Sequence, residues 1–190
     1  MASVLPFDQL NRFNTLIQER FPDGKLPLTN GKKSAEEDDI IDELLDLFLL
    51  AYAMGNTVTN ENLASNWMPP VDEVMKVVDE KVAGRNWRER VEDYFSNGGT
   101  GDDIVRIAET ETHRIANTAA FQTAKEAGAK TKTWHCMMLP TSRDTHIYLD
   151  GVTAPIDGEF YSFKGDSTQF PGQWGIAEED VNCLCWLTFE

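Results

Sequence analysis

Two short segments in the last third of the chain hold the side chains best suited to chemistry. The first contains Arg143, Asp144 and His146, which could act as an electrostatic stabiliser, an orienting carboxylate and a general base. The second contains Cys183 and Cys185, whose side chains point to the same face if the chain is extended. Because no nucleophile or phosphate-binding loop is evident beside the first segment, a hydrogen-bonded turn is favoured there over a catalytic group.

The cysteine pair allows a metal site as an alternative to a packed core. Two thiolates could hold a zinc ion in a tetrahedral site. The remaining ligands could come from His146, Cys136, His135 and Asp144. A single Cys-x-Cys without a second pair is a weak zinc signal, and free cysteines are commonly small buried hydrophobes. We therefore predict no required cofactor and keep zinc as the alternative.

A third polar cluster spans residues 106–114, where polar side chains recur at helical spacing. Arg106 or Glu111 could be catalytic, but a helix face whose Arg and Glu side chains form ion pairs is the favoured interpretation. A buried Arg–Glu pair between helix and sheet would fix their register. Separately, Trp174 and Phe170 fall in a predicted loop over residues 164–180, and we predict that they contact a partner at the surface.

Hydrophobic periodicity predicts that helices fill the first two thirds of the chain. The predicted helices cover residues 3–21, 34–54, 70–84, 86–97 and 102–127. Ser34 with Glu37, and Thr100 with Asp103, have the spacing of helix N-terminal capping pairs. Gly55 is expected to end the second helix, leaving at most a short helix from residue 61 before the next.

Beyond residue 129 the pattern becomes typical of strands. Predicted strands cover residues 131–139, 146–149, 152–156, 160–163 and 181–189. Asp150-Gly151 predicts a hairpin that places His146 on its first strand. The last strand is apolar on both faces, so we expect it at the centre of the sheet. The fold class is α+β: a helical N-terminal half, then a long helix packed on a small mixed sheet.

Composition excludes several classes of protein. A net charge of −15 over 190 residues weighs against direct DNA binding, which needs clustered Lys and Arg. The most apolar run, over residues 44–54, is too short for a bilayer, and we expect no membrane contact. We see no signal peptide at the N-terminus and expect synthesis in a reducing cytoplasm. Three cysteines cannot all form disulfides within one chain, which also argues against a secreted disulfide-rich protein.

From about residue 86 to 189 the chain resembles the phage minor head protein family, also called the Mu F-like or phage head morphogenesis domain. The matching pieces come in order: Arg106-Ile107-Ala108 with Thr110-Glu111-Thr112, Ala124–Gly128 with Trp134, Ser142–His146 with Leu149-Asp150-Gly151, Phe170-Pro171-Gly172, and Asn182-Cys183-Leu184-Cys185. Glu109 and Leu184 stand where the family usually has arginine. We expect two regions: residues 1–84, a helical region that could be a partner-binding arm, and residues 85–190, the family domain.

The resemblance implies a virion protein, in the head interior or near the portal, that assembles in the host cytoplasm. Its expected partners are the portal, scaffold or major capsid protein, with a link to DNA ejection and no catalytic mechanism. The acidic helical half and the Trp174 loop are the expected contact surfaces. Helix and sheet would be held together by Arg106, Glu111, Arg143, Asp144 and His146. The alternative is an ADP-ribosyltransferase-like or metal-dependent enzyme that uses His146, Asp144, Arg106 and Glu111.

Overall fold

The computed structural model describes residues 5–82 and 84–190. In that part of the chain the helices are α1 (Phe7–Arg20), α2 (Ala35–Leu63), α3 (Val71–Val78), α4 (Trp87–Asn97), α5 (Gly101–Glu126), α6 (Asp144–Leu149) and α7 (Ala177–Asp180). The strands are β1 (Thr131–His135), β2 (Thr153–Pro155), β3 (Phe160–Tyr161), β4 (Ser167–Thr168) and β5 (Trp186–Phe189). The α+β class is confirmed, although every described strand pair is antiparallel rather than mixed.

Local side chains cap the starts of α2, α4 and α5, and the sequence predicted the caps of α2 and α5. Ser34 Oγ accepts a hydrogen bond from the Glu37 amide at 3.1 Å, and Thr100 forms a reciprocal capping box with Asp103. Asn86 and Glu89 form another such box at the start of α4. Each cap satisfies amide donors that the first turn of a helix leaves unpaired. Residues 3 and 4 of the predicted first helix lie outside the described residues.

Gly55 does not end α2, which continues to Leu63. A Cβ atom at Gly55 would lie 2.3 Å from the carbonyl oxygen of Ala116, so glycine is needed here because α2 and α5 cross in close contact. The expectation of a break at this position, with a separate short helix after it, is wrong. A helical glycine serves close packing as readily as termination, and the sequence does not distinguish the two.

One apolar core joins α1, α2, the end of α3, α4 and the first two thirds of α5. Its buried members run from Leu5 to Ala119, with Phe48 and Trp87 in edge-to-face contact at 5.1 Å. This core contains residues from both sides of the predicted domain boundary at 84–85. The division of the chain into two domains at that boundary stays a prediction. Within residues 5–82 and 84–190, no helix has the apolar length to span a bilayer.

A second apolar core lies at the other end of α5 and underlies the sheet β2-β1-β5. β1 is central in this sheet, with Trp134 opposite Leu187 on β5, so the prediction that the C-terminal strand is central is wrong. Residues 144–149 form α6 rather than a strand, and the predicted hairpin at Asp150-Gly151 is absent. Instead the Gly151 amide bonds to the Trp134 carbonyl at 2.8 Å, and β2 pairs with β1.

Candidate functional site

His146 and two cysteines meet in the interior of the β-rich end. His146 lies in α6, while Cys183 and Cys185 lie in the segment that leads from α7 into β5. His146 Nδ1 is 3.5 Å from Cys183 Sγ and 3.4 Å from Cys185 Sγ. All three side chains are buried, and their potential ligand atoms lie within 4.8 Å of one another. The structure therefore brings together three residues that the sequence suggested as metal ligands.

The ring of His146 is held by two tryptophans and lies beside a carboxylate. Trp174 stacks on it with ring centroids 5.8 Å apart, and Trp134 meets it edge-on at 5.7 Å. Nε2 lies 3.2 Å from Glu179 Oε2, although the angle is not that of a hydrogen bond. The same carboxylate oxygen accepts a hydrogen bond from Thr145 Oγ1 at 2.7 Å. The ring thus presents Nδ1 to the sulfurs and Nε2 to a buried carboxylate.

The two thiols titrate as a pair because each affects the charge of the other. A hydrogen bond from Cys185, assisted by one from His146, outweighs burial and holds the pKa of the Cys183 thiol well below its usual value. The same hydrogen bond, together with burial and the nearby Cys136, raises the pKa of Cys185. Cys183 is therefore the sulfur that most readily becomes a thiolate, and thiolate is the form that binds metals and attacks electrophiles.

Cys136 reaches the same site from the end of β1. Its amide donates to Asp150 Oδ1 at 2.8 Å, and Gly151 takes a φ of +75°, a conformation that favours glycine. Cys136 lines a small cavity of about 30 Å³ together with His146 and the cysteine pair. Asp150-Gly151, predicted to form a hairpin turn, instead fixes the end of β1 beside α6.

The other suggested metal ligands lie elsewhere. His135 Nε2 is 2.8 Å from Thr188 Oγ1, and its ring stacks on Trp186 at 5.4 Å. Asp144 is exposed at the start of α6. Neither belongs to the group of His and Cys side chains that could share one ion within the described residues.

Arg143 anchors the cysteine segment rather than joining a catalytic group. Its Nη2 donates to the carbonyl of Val181 at 2.5 Å, two residues before Cys183. Asn182, between these positions, adopts a left-handed conformation with φ of +55°, which asparagine tolerates better than most residues. Arg143 and Asn182 of the motif thus shape the backbone that presents Cys183.

Glu111 connects helices to each other and not, as predicted, helix to sheet. Its carboxylate, 1% exposed, pairs with Arg114 on the same helix at 2.7 Å and with Arg90 on α4. Arg114 also bonds to Glu80 at 2.8 Å and to the Val77 carbonyl at 2.9 Å. This buried network ties α3 and α4 to α5.

Arg106 is not part of that network. Its side chain is half exposed and pairs with Asp103 at 3.2 Å on the surface of α5. The prediction that Arg106 holds helix and sheet together is wrong, because its position in the helical repeat faces solvent. Arg114, in the same predicted cluster, takes the buried role.

Trp174 and Phe170 are buried, so the expectation that they form an exposed contact is wrong. Trp174 is 7% exposed and Phe170 is 3% exposed. Asp180 accepts hydrogen bonds from the amides of Trp174 and Gly175 at 2.9 and 2.8 Å, which folds the loop back over His146. Phe170 packs against Phe121 at 4.9 Å.

Sequence reasoning missed three side chains that support this site. Glu179 lies beside His146, Asp180 fixes the Trp174 loop, and Asn117 Nδ2 donates to the Cys185 carbonyl at 3.0 Å. The acids are part of the run 178–180, whose composition is typical of a solvated loop, and Asn117 lies within a helix of small residues. No signal in the chain marks them: Glu179 and Asn117 act on residues distant in sequence, and Asp180 acts on loop residues without a recognisable pattern.

The family match covers this region of the chain, and two curated proteins are similar to part of the chain. The model of the family described as Phage Mu protein F like protein matches residues 72–188. Minor head protein GP7 of Bacillus phage SPP1 is 32% identical over 85 residues, which are 43% of this chain and 28% of that protein. NAD(+)--arginine ADP-ribosyltransferase EFV of Enterococcus faecalis (strain ATCC 700802 / V583) is 38% identical over 85 residues, which are 43% of this chain and 17% of that protein.

The chain thus spans less than a third of the length of these two curated relatives. No solved structure is significantly similar to it. The family match covers more than half of the chain and contains the His146 and cysteine site together with the Glu111 network. The chain belongs to the Phage Mu protein F like protein family.

Proposed function

We propose that this chain is a head protein of a tailed phage or prophage that acts in head assembly. Its partner would be the portal, scaffold or major capsid protein, and it would reside in the virion, inside the head or near the portal, with a role in DNA ejection. The observation that carries the proposal is the family match over residues 72–188, together with similarity to a minor head protein.

The geometry of the family motif supports a structural role. Arg143 and Asp150 bond to backbone groups of other segments, Asn182 supplies a left-handed turn, and Glu111 is enclosed by arginines. Side chains used in this way stabilise an arrangement of elements that a partner can recognise. An assembly protein requires a rigid surface more than an open catalytic cleft.

Two surfaces are suited to partners. The first is the loop that follows β1, where Met137, Met138 and Leu139 are 44%, 50% and 39% exposed. Exposed apolar side chains next to one another are typical of interaction sites. The second is the solvent face of α2, whose exposed carboxylates are those of Glu36, Asp38, Asp39, Asp42, Glu43 and Asp46. This acidic face would dock on a basic surface.

Co-expression with the portal, scaffold and capsid proteins encoded beside it, followed by sedimentation of the particles, tests the proposal. We expect the chain to travel with portal-containing particles. The triple variant Met137→Ser/Met138→Ser/Leu139→Ser and the triple variant Asp38→Lys/Asp42→Lys/Asp46→Lys separate the two surfaces. Tyr161→Ser, 62% exposed at another position, is the control and should still co-sediment. Wild-type protein that stays at the top of the gradient would count against the proposal.

A second candidate function is transfer of ADP-ribose from NAD, favoured by the 38% identity to a protein named for that activity. The 17% of that protein covered by the match leaves most of it without a counterpart here. Hydrolysis or transfer measured with radiolabelled NAD distinguishes the two functions. We expect no turnover; activity abolished by Glu111→Gln or His146→Gln, with the fold retained, would favour the enzyme.

A further inference from the structure

We propose that His146, Cys183, Cys185 and Cys136 bind one zinc ion. In a tetrahedral site with usual zinc–sulfur and zinc–nitrogen bonds, a ligand sulfur and nitrogen are about 3.6 Å apart. The separations of His146 Nδ1 from the two sulfurs are 3.5 and 3.4 Å. The side chains therefore already lie at the spacing that a shared ion requires.

The surroundings of His146 are those of a metal ligand. A histidine that binds zinc through one ring nitrogen usually directs the other to a carboxylate, which fixes the ring and increases its basicity. Here Nε2 faces Glu179 at 3.2 Å, and Glu179 is itself held by Thr145 and approached by Lys164 at 3.4 Å.

Cys136 is not one of the three residues whose ligand atoms lie within 4.8 Å of one another, but it is the next cysteine at the site and would supply the fourth ligand. It is 6% exposed, borders the same cavity as the other three residues and lies near Cys185. The cavity of about 30 Å³ can hold one water-sized species. Three thiolates and one imidazole form a ligand set typical of structural zinc sites, which are closed to substrate.

The ion would join three segments that share little regular structure. Cys136 follows the central strand, His146 lies in the short helix α6, and the cysteine pair precedes β5. A single ion would therefore lock the end of β1 and α6 to the C-terminal segment. This inference does not depend on the proposed function, since a zinc clamp would stabilise an assembly protein and an enzyme equally.

Metal analysis of the full chain, purified without chelator from zinc-supplemented cells, is the direct test. We expect one zinc per chain by native mass spectrometry, and a fall in Tm of about 10 °C when the metal is removed. Replacement by Co²⁺ should give the visible bands and thiolate charge-transfer absorption of a tetrahedral sulfur-rich site. Folded protein that carries no zinc and binds no Co²⁺ under reducing conditions would overturn the proposal.

Variants identify the ligands. Cys183→Ser, Cys185→Ser and His146→Gln should each lower the affinity for Co²⁺ at least tenfold. His135→Gln is the matched control and should bind as the wild type does, because His135 faces Thr188. Cys136→Ser should shift the Co²⁺ spectrum by the loss of one thiolate; an unchanged spectrum would overturn the assignment of Cys136. If a variant fails to fold, thiol alkylation of the wild-type protein with and without Co²⁺ replaces it. We expect bound Co²⁺ to protect the cysteines from alkylation. Cysteines that react equally fast with and without Co²⁺ would overturn the site.

Discussion

The helical core and the β-rich end of this protein are stabilised in different ways. The first is built from helices of up to 29 residues whose apolar side chains fill one continuous core. The second is built from strands of 2 to 5 residues and loops. Its loops are fixed by hydrogen bonds of single polar side chains, namely Asp150, Asp180, Glu179, Asn117 and Arg143.

This difference affects how each region responds to change. In a core of many apolar contacts, a truncated side chain leaves a cavity, which for Leu→Ala costs about 2–5 kcal/mol. A loop region held by a few hydrogen bonds concentrates its stability, because a lost acceptor leaves buried donors unpaired. Most pieces of the family motif lie in the second region, so they are sensitive to the loss of single hydrogen bonds.

The largest expected effect comes from the buried ion network of the helical core. Arg114→Met should lower the free energy of unfolding by about 3–5 kcal/mol, because it removes one of the two partners of buried Glu111 and leaves Glu80 and the Val77 carbonyl unpaired. Urea unfolding followed by circular dichroism measures the change. Arg106→Met, which breaks an exposed pair on the same helix, should cost less than about 1 kcal/mol. Equal losses in the two variants would contradict the assigned network.

Acid should weaken the helical core through His113. Burial lowers the pKa of His113 from 6.5 to about 4, and its Nδ1 has no partner among the described residues. The unfolded chain therefore takes up a proton between pH 6.5 and 4 while the folded chain does not, and stability present above pH 6.5 is lost as pH falls towards 4. The loss is at most about 3 kcal/mol.

His113→Phe isolates this contribution. Urea unfolding at pH 7 and pH 4 should show a smaller acid loss in the variant than in the wild type. Phenylalanine keeps a ring next to Phe7, whose own ring lies 6.3 Å from that of His113. An acid loss as large in the variant as in the wild type would assign it to carboxylates instead.

A smaller and more local effect is expected in the β-rich end. Asp180→Ala should cost about 2 kcal/mol, because the amides of Trp174 and Gly175 lose their acceptor. Hydrogen exchange read by mass spectrometry should accelerate over residues 173–185 and stay unchanged in α2 and α4. Asp144→Ala, at an exposed acid of the same motif, is the control with little effect. Faster exchange throughout the molecule would mean that the two regions unfold as one.

The sequence predicted the helical region more accurately than the β-rich end. The starts of α2, α4 and α5 are set by side chains within four residues of each cap, so the neighbouring sequence is enough to predict where these helices begin. The segment 146–149 was misread as a strand because a four-residue apolar run fits a strand and a short helix equally. The exposure of Trp174 was misjudged because Asp180 decides it, and nothing in the chain links those residues.

By itself the sequence determined the α+β class, the helix caps and a motif that identifies the family. These depend on periodicity, on neighbouring residues and on the order of short segments, which are all properties of the chain. Only the tertiary structure decided that Gly55 lies where α2 and α5 cross, and that Arg114 rather than Arg106 is buried. It also decided that His146 lies next to Cys183 and Cys185. The physical reason is that each of these features depends on contacts between residues that lie 37 to 61 positions apart along the chain. Only folding brings their atoms within a few ångströms of one another.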